Sequence, residues 1–311
     1  MNNKQEYKLF LNASSLLDIP ELLRKQAHKD GYLFLPGLID SKIILDLRRQ
    51  VLEICNKHGY LTNEAPLMKG LVKENVRVLE SHKTEWKNFY RDLIRLRDFN
   101  ALAMNEKILG VMKILFQETV LVHCKNIYRL FSPTYSEYAT PPHRDYTWTG
   151  GTEDTWSVWI PLGKTPHQLG RLLILPGSHR QKFHLRGSDE RMGLIIPEDY
   201  SWYTAKSFAC GDVVMFHSKT VHAANGNYTK NQLRLSVDFR YQPLSEPIRY
   251  DALLPHWEGF GLSWDNIYSG WPKNDPLKYY WKKLMPTVVT ETSGTYKQDI
   301  RARYIQNLMR S

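Results

Sequence analysis

The chain of 311 residues is 42% hydrophobic and 24% charged, which is the composition of a folded globular protein and excludes a disordered chain. Its three scattered cysteines exclude a disulfide framework, no apolar run is long enough to span a membrane, and the N-terminus lacks a secretory signal, so we expect a cytoplasmic protein. The net charge of +10 comes from dispersed basic residues, and it therefore does not predict nucleic-acid binding.

The N-terminal region of the sequence predicts helices around one short strand. Apolar residues recur at helical spacing, Ser41 stands at an N-cap position, and Gly31 and Gly59 stand where the first two helices end. The predicted bounds are 19–30, 41–58 and 85–116 for the helices, the last broken near Asn105, and 32–35 for the strand.

After Thr119 the sequence changes to short apolar segments separated by Pro and Gly, a pattern that favours a β-sandwich or jelly roll over a parallel α/β sheet. The candidate strands are 120–130, 143–148, 156–162, 171–175, 205–209, 213–217 and 233–241. Tryptophans among the charged residues of the tail predict that it packs on the barrel or on another subunit. We therefore expect one domain, in which residues 1–118 are rich in helix, residues 119–243 form the core and residues 244–311 form a C-terminal extension.

His143-Arg144-Asp145 is the most informative motif. Side chains two apart on a strand share a face, so His143 and Asp145 are expected to point the same way. One distant histidine would complete three ligands on one face of an octahedral iron and leave three positions open. His222 begins a predicted strand and fits this role, but His217 competes with it because spacing does not show which imidazole faces inward.

A second group lies on the last predicted strand. Arg234 and Ser236 are two apart and share a face, and a guanidinium with a hydroxyl is a good receptor for a carboxylate. Arg240 lies on the same face and is the alternative receptor. The structural alternative is an arginine that pairs with a buried acid such as Asp238.

The remaining motif residues predict scaffold contacts. Arg144 lies between two expected ligands, so it points away from the metal and is expected to form a structural ion pair. Tyr146 and Trp148 share its face if the strand stays regular, which leaves Thr147 inward. Basic residues that are candidates for a charged substrate, or else ordinary surface, are Arg129, Lys164 and His179.

Several motifs taken together, in this order, resemble the phytanoyl-CoA dioxygenase family over about residues 25 to 243. They are Asp30-Gly31-Tyr32-Leu33-Phe34-Leu35-Pro36-Gly37, His143-Arg144-Asp145, Trp159-Ile160-Pro161-Leu162, Gly170-Arg171-Leu172 leading into Pro176-Gly177-Ser178-His179, and Gly211-Asp212-Val213-Val214 through His222. The resemblance implies a double-stranded β-helix, a cupin-like jelly roll. It also implies that His143, Asp145 and His222 hold Fe(II), with His217 outside the ligand set.

The resemblance assigns a cosubstrate as well. In this family an arginine soon after the distal histidine, often in an Arg-x-Ser pair, binds the carboxylate of 2-oxoglutarate that lies farther from the metal. The resemblance implies this role for Arg234 with Ser236. Thr140 and Trp159 are expected to wall the same pocket. The strand before the metal motif offers two further possible contributors, Lys125 and Asn126, between which the sequence does not decide.

The implied reaction is that of an Fe(II)- and 2-oxoglutarate-dependent dioxygenase. It uses O₂ to hydroxylate, desaturate, epoxidise or cyclise a small organic metabolite and releases succinate and CO₂. Halogenases on this scaffold generally lack the carboxylate ligand, so Asp145 favours hydroxylation or a related oxidation. The basic charge balance favours an anionic or polar substrate, and neither nucleic acid nor membrane is expected as a partner. Two alternatives are a non-catalytic jelly-roll module that keeps a metal or ligand, and a zinc hydrolase with the same ligands.

Overall fold

Two facing β-sheets form the centre of the computed structural model, which describes residues 7–74, 76, 78, 83–133, 138–184, 193–257 and 261–290. Helices cover the outer face of the larger sheet. This arrangement confirms the predicted jelly roll, or double-stranded β-helix.

The helices fall mainly before the sheets. They are α1 Pro20–Asp30, α2 Ser41–Lys57, α3 Thr84–Ile94, α4 Arg97–Leu102, α5 Glu106–Phe116, α6 Tyr146–Thr149, α7 Trp264–Tyr268 and α8 Tyr280–Leu284. Gly31 ends α1 in the left-handed conformation, as predicted (φ 70°). Asp40, not Ser41, caps α2, because its carboxylate accepts the backbone N–H of Lys42.

The strands are β1 Lys8–Leu9, β2 Tyr32–Leu35, β3 Val120–Val122, β4 Ile127–Phe131, β5 Tyr138–His143, β6 Trp156–Pro161, β7 Thr165–Pro166, β8 Leu172–Ile174, β9 Tyr203–Thr204, β10 Ser207–Phe208, β11 Val213–His217, β12 His222–Asn225, β13 Arg234–Pro243, β14 Ile248–Arg249 and β15 Val288–Val289. The larger sheet has the order β2-β11-β6-β13-β3, with β4 also paired to β13. The smaller sheet has the order β1-β9-β8-β12-β5. Two short pairs, β7 with β10 and β14 with β15, lie outside these sheets.

Two predicted strands differ from the structure. The segment 120–130 forms two strands, β3 and β4, which pair with different parts of β13. The segment 143–148 is not a strand, because β5 ends at His143 and the chain turns into α6. Asp145 already has helical backbone angles (φ −62°, ψ −33°), and its carbonyl accepts the N–H groups of Trp148 and Thr149.

Successive side chains of β13 point alternately to the two faces of the larger sheet. One face packs against the helices, and the other faces the space between the two sheets. Leu235, Val237 and Phe239 belong to the core between the larger sheet and the helices. A second apolar cluster lies between the sheets, where Trp159 of β6 packs edge-on against Phe208 at 4.7 Å between ring centroids. The other face of β13 carries five polar residues, all buried: Arg234, Ser236, Asp238, Arg240 and Gln242.

The described portion of the tail, up to residue 290, packs on the core. Trp281 is buried in the main cluster, and Trp264 and Trp271 pack against it. The indole of Trp271 also donates to the carbonyl of Arg95 (2.7 Å). Across the described residues, no helix combines the length and apolar composition that crossing a bilayer requires. The division of the chain at 118 and 243 stays a prediction.

Candidate active site

Three potential metal ligands meet at one end of the space between the sheets. His143 ends β5, Asp145 precedes α6, and His222 begins β12, where the two histidines are register partners. One ligand atom from each lies within 4.8 Å of the others, and the Nε2 atoms of His143 and His222 are 3.9 and 3.8 Å from Asp145 Oδ1. No other group of three His, Cys, Asp or Glu side chains converges in this way in the described part of the chain.

Backbone carbonyls fix the tautomer of both imidazoles. Nδ1 of His143 lies 2.8 Å from the carbonyl of Pro141, and Nδ1 of His222 lies 3.0 Å from that of Thr220. A carbonyl only accepts, so each Nδ1 carries the proton and each Nε2 keeps its lone pair. The atoms that face one another are therefore those that bind a metal.

The two oxygens of Asp145 have different surroundings. Oδ2 accepts a short hydrogen bond from the Ser157 hydroxyl and lies 3.2 Å from Nη2 of Arg240. Oδ1 faces the two imidazoles. Burial opposes ionisation of this carboxyl, but Arg240 and the hydrogen bond from Ser157 contribute to holding its pKa well below its usual range.

The ionisation states suit a divalent metal. Burial, with the neighbouring His222, lowers the pKa of His143 to about 3, and burial also lowers the pKa of His222. Two neutral imidazoles and one ionised carboxylate are the forms that bind a metal without first losing a proton. Two nitrogens and one oxygen on one side of a site are the donor set of non-haem Fe(II) enzymes, so the residues fit that ion.

His143 and Asp145 come together for a different reason from the strand alternation that the sequence predicts. Asp145 joins His143 through a turn into α6, and this correction also places Tyr146 and Trp148 in a helix rather than on a strand. Arg144 points away from the ligands, as expected. Among the described residues, it donates to the carbonyl of Ser178 (2.7 Å) and lies over the ring of Phe183, and the expected ion pair stays a prediction.

A buried arginine lies further along β13. Arg234 is 2% exposed, stacks on Phe131 with its Cζ 4.2 Å from the ring centroid, and reaches the carbonyl of Gly170 at 3.5 Å. Its Nε and the hydroxyl of Ser236 have no hydrogen-bond partner among the described residues. Burial lowers the pKa of Arg234 to about 9. A cation and a hydroxyl that are both buried and incompletely satisfied fit an anionic ligand such as the carboxylate of 2-oxoglutarate.

The other residues considered for the cosubstrate have distinct positions. Arg240, the alternative anchor, lies against Asp145 instead. Trp159 is buried between the sheets opposite Asp238 in the register, and Thr140 is half-buried on β5. Their roles as pocket walls stay predictions.

His217 lies outside the three-ligand group. Its Nε2 is 3.8 Å from Asp154, and its ring is 5.5 Å from that of His179. His179 in turn contacts the carbonyl of His28 through Nε2 (3.0 Å). Lys164 is exposed. These contacts are those of surface and structural residues.

Two residues on β4 and the turn before it have partners of their own. Arg129 donates from Nε to Asp238 (2.6 Å), so Asp238, the possible ion-pair partner of Arg234, pairs with a different arginine. Asn126 is buried and donates to Asn100 (3.1 Å), and Lys125 is half-buried. Neither Lys125 nor Asn126 is thereby selected as a cosubstrate contact.

The sequence reasoning missed Ser157 and the role of Arg240. Ser157 is two residues before Trp159, so strand periodicity could have placed both on the inner face. Strand alternation predicts the correct face for Arg240, but its contact with Asp145 depends on how β13 and β6 align with α6, which one sequence does not show.

Comparison with known proteins identifies relatives over most of the chain. A family model described as phytanoyl-CoA dioxygenase (PhyH) matches residues 27–235. The 1-deoxypentalenic acid 11-beta-hydroxylase of Streptomyces exfoliatus is 25% identical over 264 residues, which cover 79% of this chain and 89% of the relative. The hydroxylase of the same description from Streptomyces arenae is 24% identical over 262 residues, with the same coverage.

Solved structures share the fold. The non-heme alpha ketoglutarate dependent carbocyclase SnoK from nogalamycin biosynthesis has a TM-score of 0.52 at 18% identity, covering 78% of this chain and 90% of its own. The epimerase SnoN, in complex with Fe³⁺, alpha ketoglutarate and nogalamycin RO, has a TM-score of 0.51 at 17% identity, covering 74% and 86%. At these identities the likeness supports the jelly-roll fold.

Proposed function

Since the chain belongs to the phytanoyl-CoA dioxygenase family and is an Fe(II)- and 2-oxoglutarate-dependent dioxygenase, we propose that His143, Asp145 and His222 hold its iron and that Arg234 with Ser236 holds its 2-oxoglutarate. One observation carries this proposal. Three convergent ligand atoms and an incompletely satisfied Arg-Ser pair lie on the same side of the larger sheet, in the space between the two sheets.

Bound iron, with 2-oxoglutarate and O₂, supplies the oxidising power for an unactivated C–H bond. In the overall balance the substrate C–H, 2-oxoglutarate and O₂ give C–OH, succinate and CO₂. The protein supplies orientation. Ser157 and Arg240 hold Oδ2 of Asp145, so Oδ1 would be available to bind the metal, and the backbone carbonyls hold both imidazoles with Nε2 inward.

Arg234 has the properties of a carboxylate anchor. It is buried, so a charge-assisted contact with the cosubstrate would be little weakened by water. Stacking on Phe131 restricts the plane of the guanidinium, and Ser236 adds a hydroxyl on the same face. Arg234 and Ser236 would therefore bind and orient the cosubstrate, and they would take no part in the oxidation itself.

We assign hydroxylation of a small organic metabolite as the reaction, with an anionic or polar molecule as the substrate. The named relatives are hydroxylases of a carboxylic acid, and the net charge of +10 favours anions. The carboxylate ligand Asp145 supports hydroxylation over halide transfer. Nucleic acid is not proposed as a partner, and the cytoplasmic location stays a prediction.

The two alternatives explain less of the site. A binding module that keeps a structural metal, or a zinc hydrolase, has no use for a buried carboxylate receptor at Arg234 and Ser236. The discriminating experiment loads the protein with Fe(II) anaerobically, adds 2-oxoglutarate, records the visible charge-transfer band of the chelate, and then admits O₂ and assays succinate. We expect the band and slow succinate release without substrate. Iron-loaded protein that shows neither would leave the binding module as the better description.

A further inference from the structure

The carboxylate ligand of the centre depends on a very short helix. Asp145 immediately precedes α6, which has only four residues, and one helical turn is not stable by itself in water. The turn must therefore be held by contacts with other parts of the chain. On its N-terminal side, the backbone N–H of Tyr146 donates to the carbonyl of Ser218 (2.9 Å), which ties the turn to the loop between β11 and β12.

The contact at the other end of α6 comes from the C-terminal extension. Arg249 of β14 is 6% exposed, and its Nη2 donates a short hydrogen bond to the carbonyl of Trp148, the third residue of α6. The guanidinium is oriented by Asp251, which accepts from both Nε and Nη2, the latter at 2.6 Å. Arg249 is thus fixed at two of its nitrogens and reaches the metal-bearing turn with a defined geometry.

Two glycines allow this approach. Gly150 and Gly151 follow α6 with φ values of 58° and 70°, in the region that favours glycine. A Cβ on Gly150 would lie 2.9 Å from Nη1 of Arg249, and one on Gly151 would lie 2.8 Å from the carbonyl of Pro247. The extension therefore packs directly on the backbone that follows the metal ligand, and residues 247–251 lie beyond the 27–235 match of the family.

We propose that Arg249 is a positioning residue for the metal centre, and that it holds Asp145 Oδ1 in place by fixing α6 through the carbonyl of Trp148. The inference rests on the proposed iron site. It assigns the C-terminal extension a role in metal binding, whereas packing of the tail on the core would by itself predict only a contribution to stability.

The test measures binding of Co(II), an air-stable substitute for Fe(II), by calorimetry at a temperature where the metal-free protein is fully folded. In Arg249→Lys, a single ammonium group replaces the planar guanidinium, which donates to both Asp251 and the carbonyl of Trp148. The ammonium cannot keep both contacts. We expect Co(II) affinity to fall about 10- to 100-fold, the range found when residues that support metal ligands are changed. The double variant Arg249→Met/Asp251→Asn, which removes both charges of this ion pair together, should show the same loss.

Arg48→Lys is the matched control. Arg48 is also a buried arginine that donates to backbone carbonyls, those of Leu162 and Met68, and it also packs on a glycine of positive φ, Gly163. It contacts neither α6 nor a ligand residue, so its variant should change the melting temperature but keep Co(II) affinity within about twofold of wild type.

Two results would overturn the proposal while the iron site stands. They are wild-type Co(II) affinity in both Arg249 variants, and an equal loss of affinity in Arg48→Lys, which would indicate general loosening. Wild-type protein that binds no Co(II) would instead overturn the proposed iron site, and the role of Arg249 with it.

Discussion

His217 and His222 are five positions apart and differ in what their rings contact. The ring of His222 lies 4.1 Å from that of His143 between centroids, whereas Nε2 of His217 is directed to Asp154, with the nearest carboxylate oxygen at 3.8 Å. The backbone also distinguishes them. The carbonyl of Thr220 orients His222, while Nδ1 of His217 accepts the N–H of Lys219 (3.2 Å). The two imidazoles therefore present opposite nitrogens as hydrogen-bond donors.

We predict that Ala replacement of His143, Asp145 or His222 abolishes stoichiometric Fe(II) binding, because two remaining ligands do not hold the ion against water. His217→Ala should keep iron and measurable turnover. Anaerobic Fe(II) titration followed by the succinate assay checks both statements. Loss of iron in His217→Ala, with iron retained in His222→Ala, would reverse the assignment.

Arg234 and Arg240 lie on the same face of β13, but we predict that replacing Arg234 weakens 2-oxoglutarate binding whereas replacing Arg240 weakens iron binding. Arg234→Ala should weaken 2-oxoglutarate binding by on the order of 2 to 5 kcal/mol, since the cosubstrate carboxylate would enter a buried site without its counter-charge. Titration of the chelate band measures this loss. The same variant should lose the rise in melting temperature that 2-oxoglutarate gives the iron-loaded wild type.

The control for Arg234 is Arg240→Met. Arg240 contacts Asp145, so we expect weaker iron binding but nearly unchanged 2-oxoglutarate affinity once iron is saturating. If Arg240→Met weakened the cosubstrate while Arg234→Ala did not, the anchor would lie at the other end of β13.

The neighbouring strands β6 and β13 together position the carboxylate of Asp145. Ser157 and Arg240 are register partners on these neighbouring strands, and both contact Oδ2 of Asp145. An antiparallel pair places partner side chains on one face, so the sheet presents a hydroxyl and a guanidinium side by side. The metal site is thus supported by the most extensively paired strands of the fold.

Ser157→Ala should lower Fe(II) or Co(II) affinity about tenfold or more, because Asp145 loses the hydrogen bond that fixes its rotamer. Thr204→Val is the comparison: its buried hydroxyl donates to the carbonyl of Leu172 (2.7 Å) in the smaller sheet and contacts no ligand. Calorimetric titration with Co(II) should separate the two variants. Equal affinities would show that Arg240 alone suffices to orient the carboxylate.

Elements with strong periodicity were predictable, and those set by distant contacts were not. The apolar pattern of α2 and the glycine after α1 determine those helices locally, so their bounds agree with the structure within a few residues. The chain after His143 contains β-branched and aromatic residues and predicts a strand. It forms α6 instead because Ser218 and Arg249, far away in sequence, bond to its backbone.

The run of short strands predicted a sandwich or jelly roll, and the family resemblance implied the double-stranded β-helix, but the order of strands in the two sheets was not predicted. Alternation on β13 did predict which residues share the inner face, including Arg234, Ser236 and Arg240. It did not predict that Asp238 pairs with Arg129, because that contact depends on the register between β4 and β13. Local rules thus identify the facing residues, and topology decides their partners.

Buried histidines give the whole fold a pH dependence. Burial lowers the pKa of His123 to about 4, that of His143 to about 3, and those of His222 and His256 as well. An unfolded chain takes up a proton at each histidine as the pH falls through about 6.5, whereas the folded chain does not until the pH is far lower. The unfolded state therefore binds more protons in this interval, and stability must rise with pH across it. Burial raises the pKa of Asp30, so this carboxyl has the opposite effect and lowers stability as the pH rises.

We predict that the free energy of unfolding of the metal-free protein decreases steadily as the pH is lowered from about 6.5 to 4, by up to about 1.4 kcal/mol per pH unit for each buried histidine. Urea denaturation at fixed ionic strength over this pH range measures the slope. In His123→Gln the slope should be shallower by up to about 1.4 kcal/mol per pH unit, the contribution of one proton, because the variant removes an imidazole whose pKa is held low by burial. His123 is not one of the proposed metal ligands, and its ring hydrogen-bonds to Gln242. A stability that is flat or rises on acidification would show that these histidines gain protons inside the folded protein.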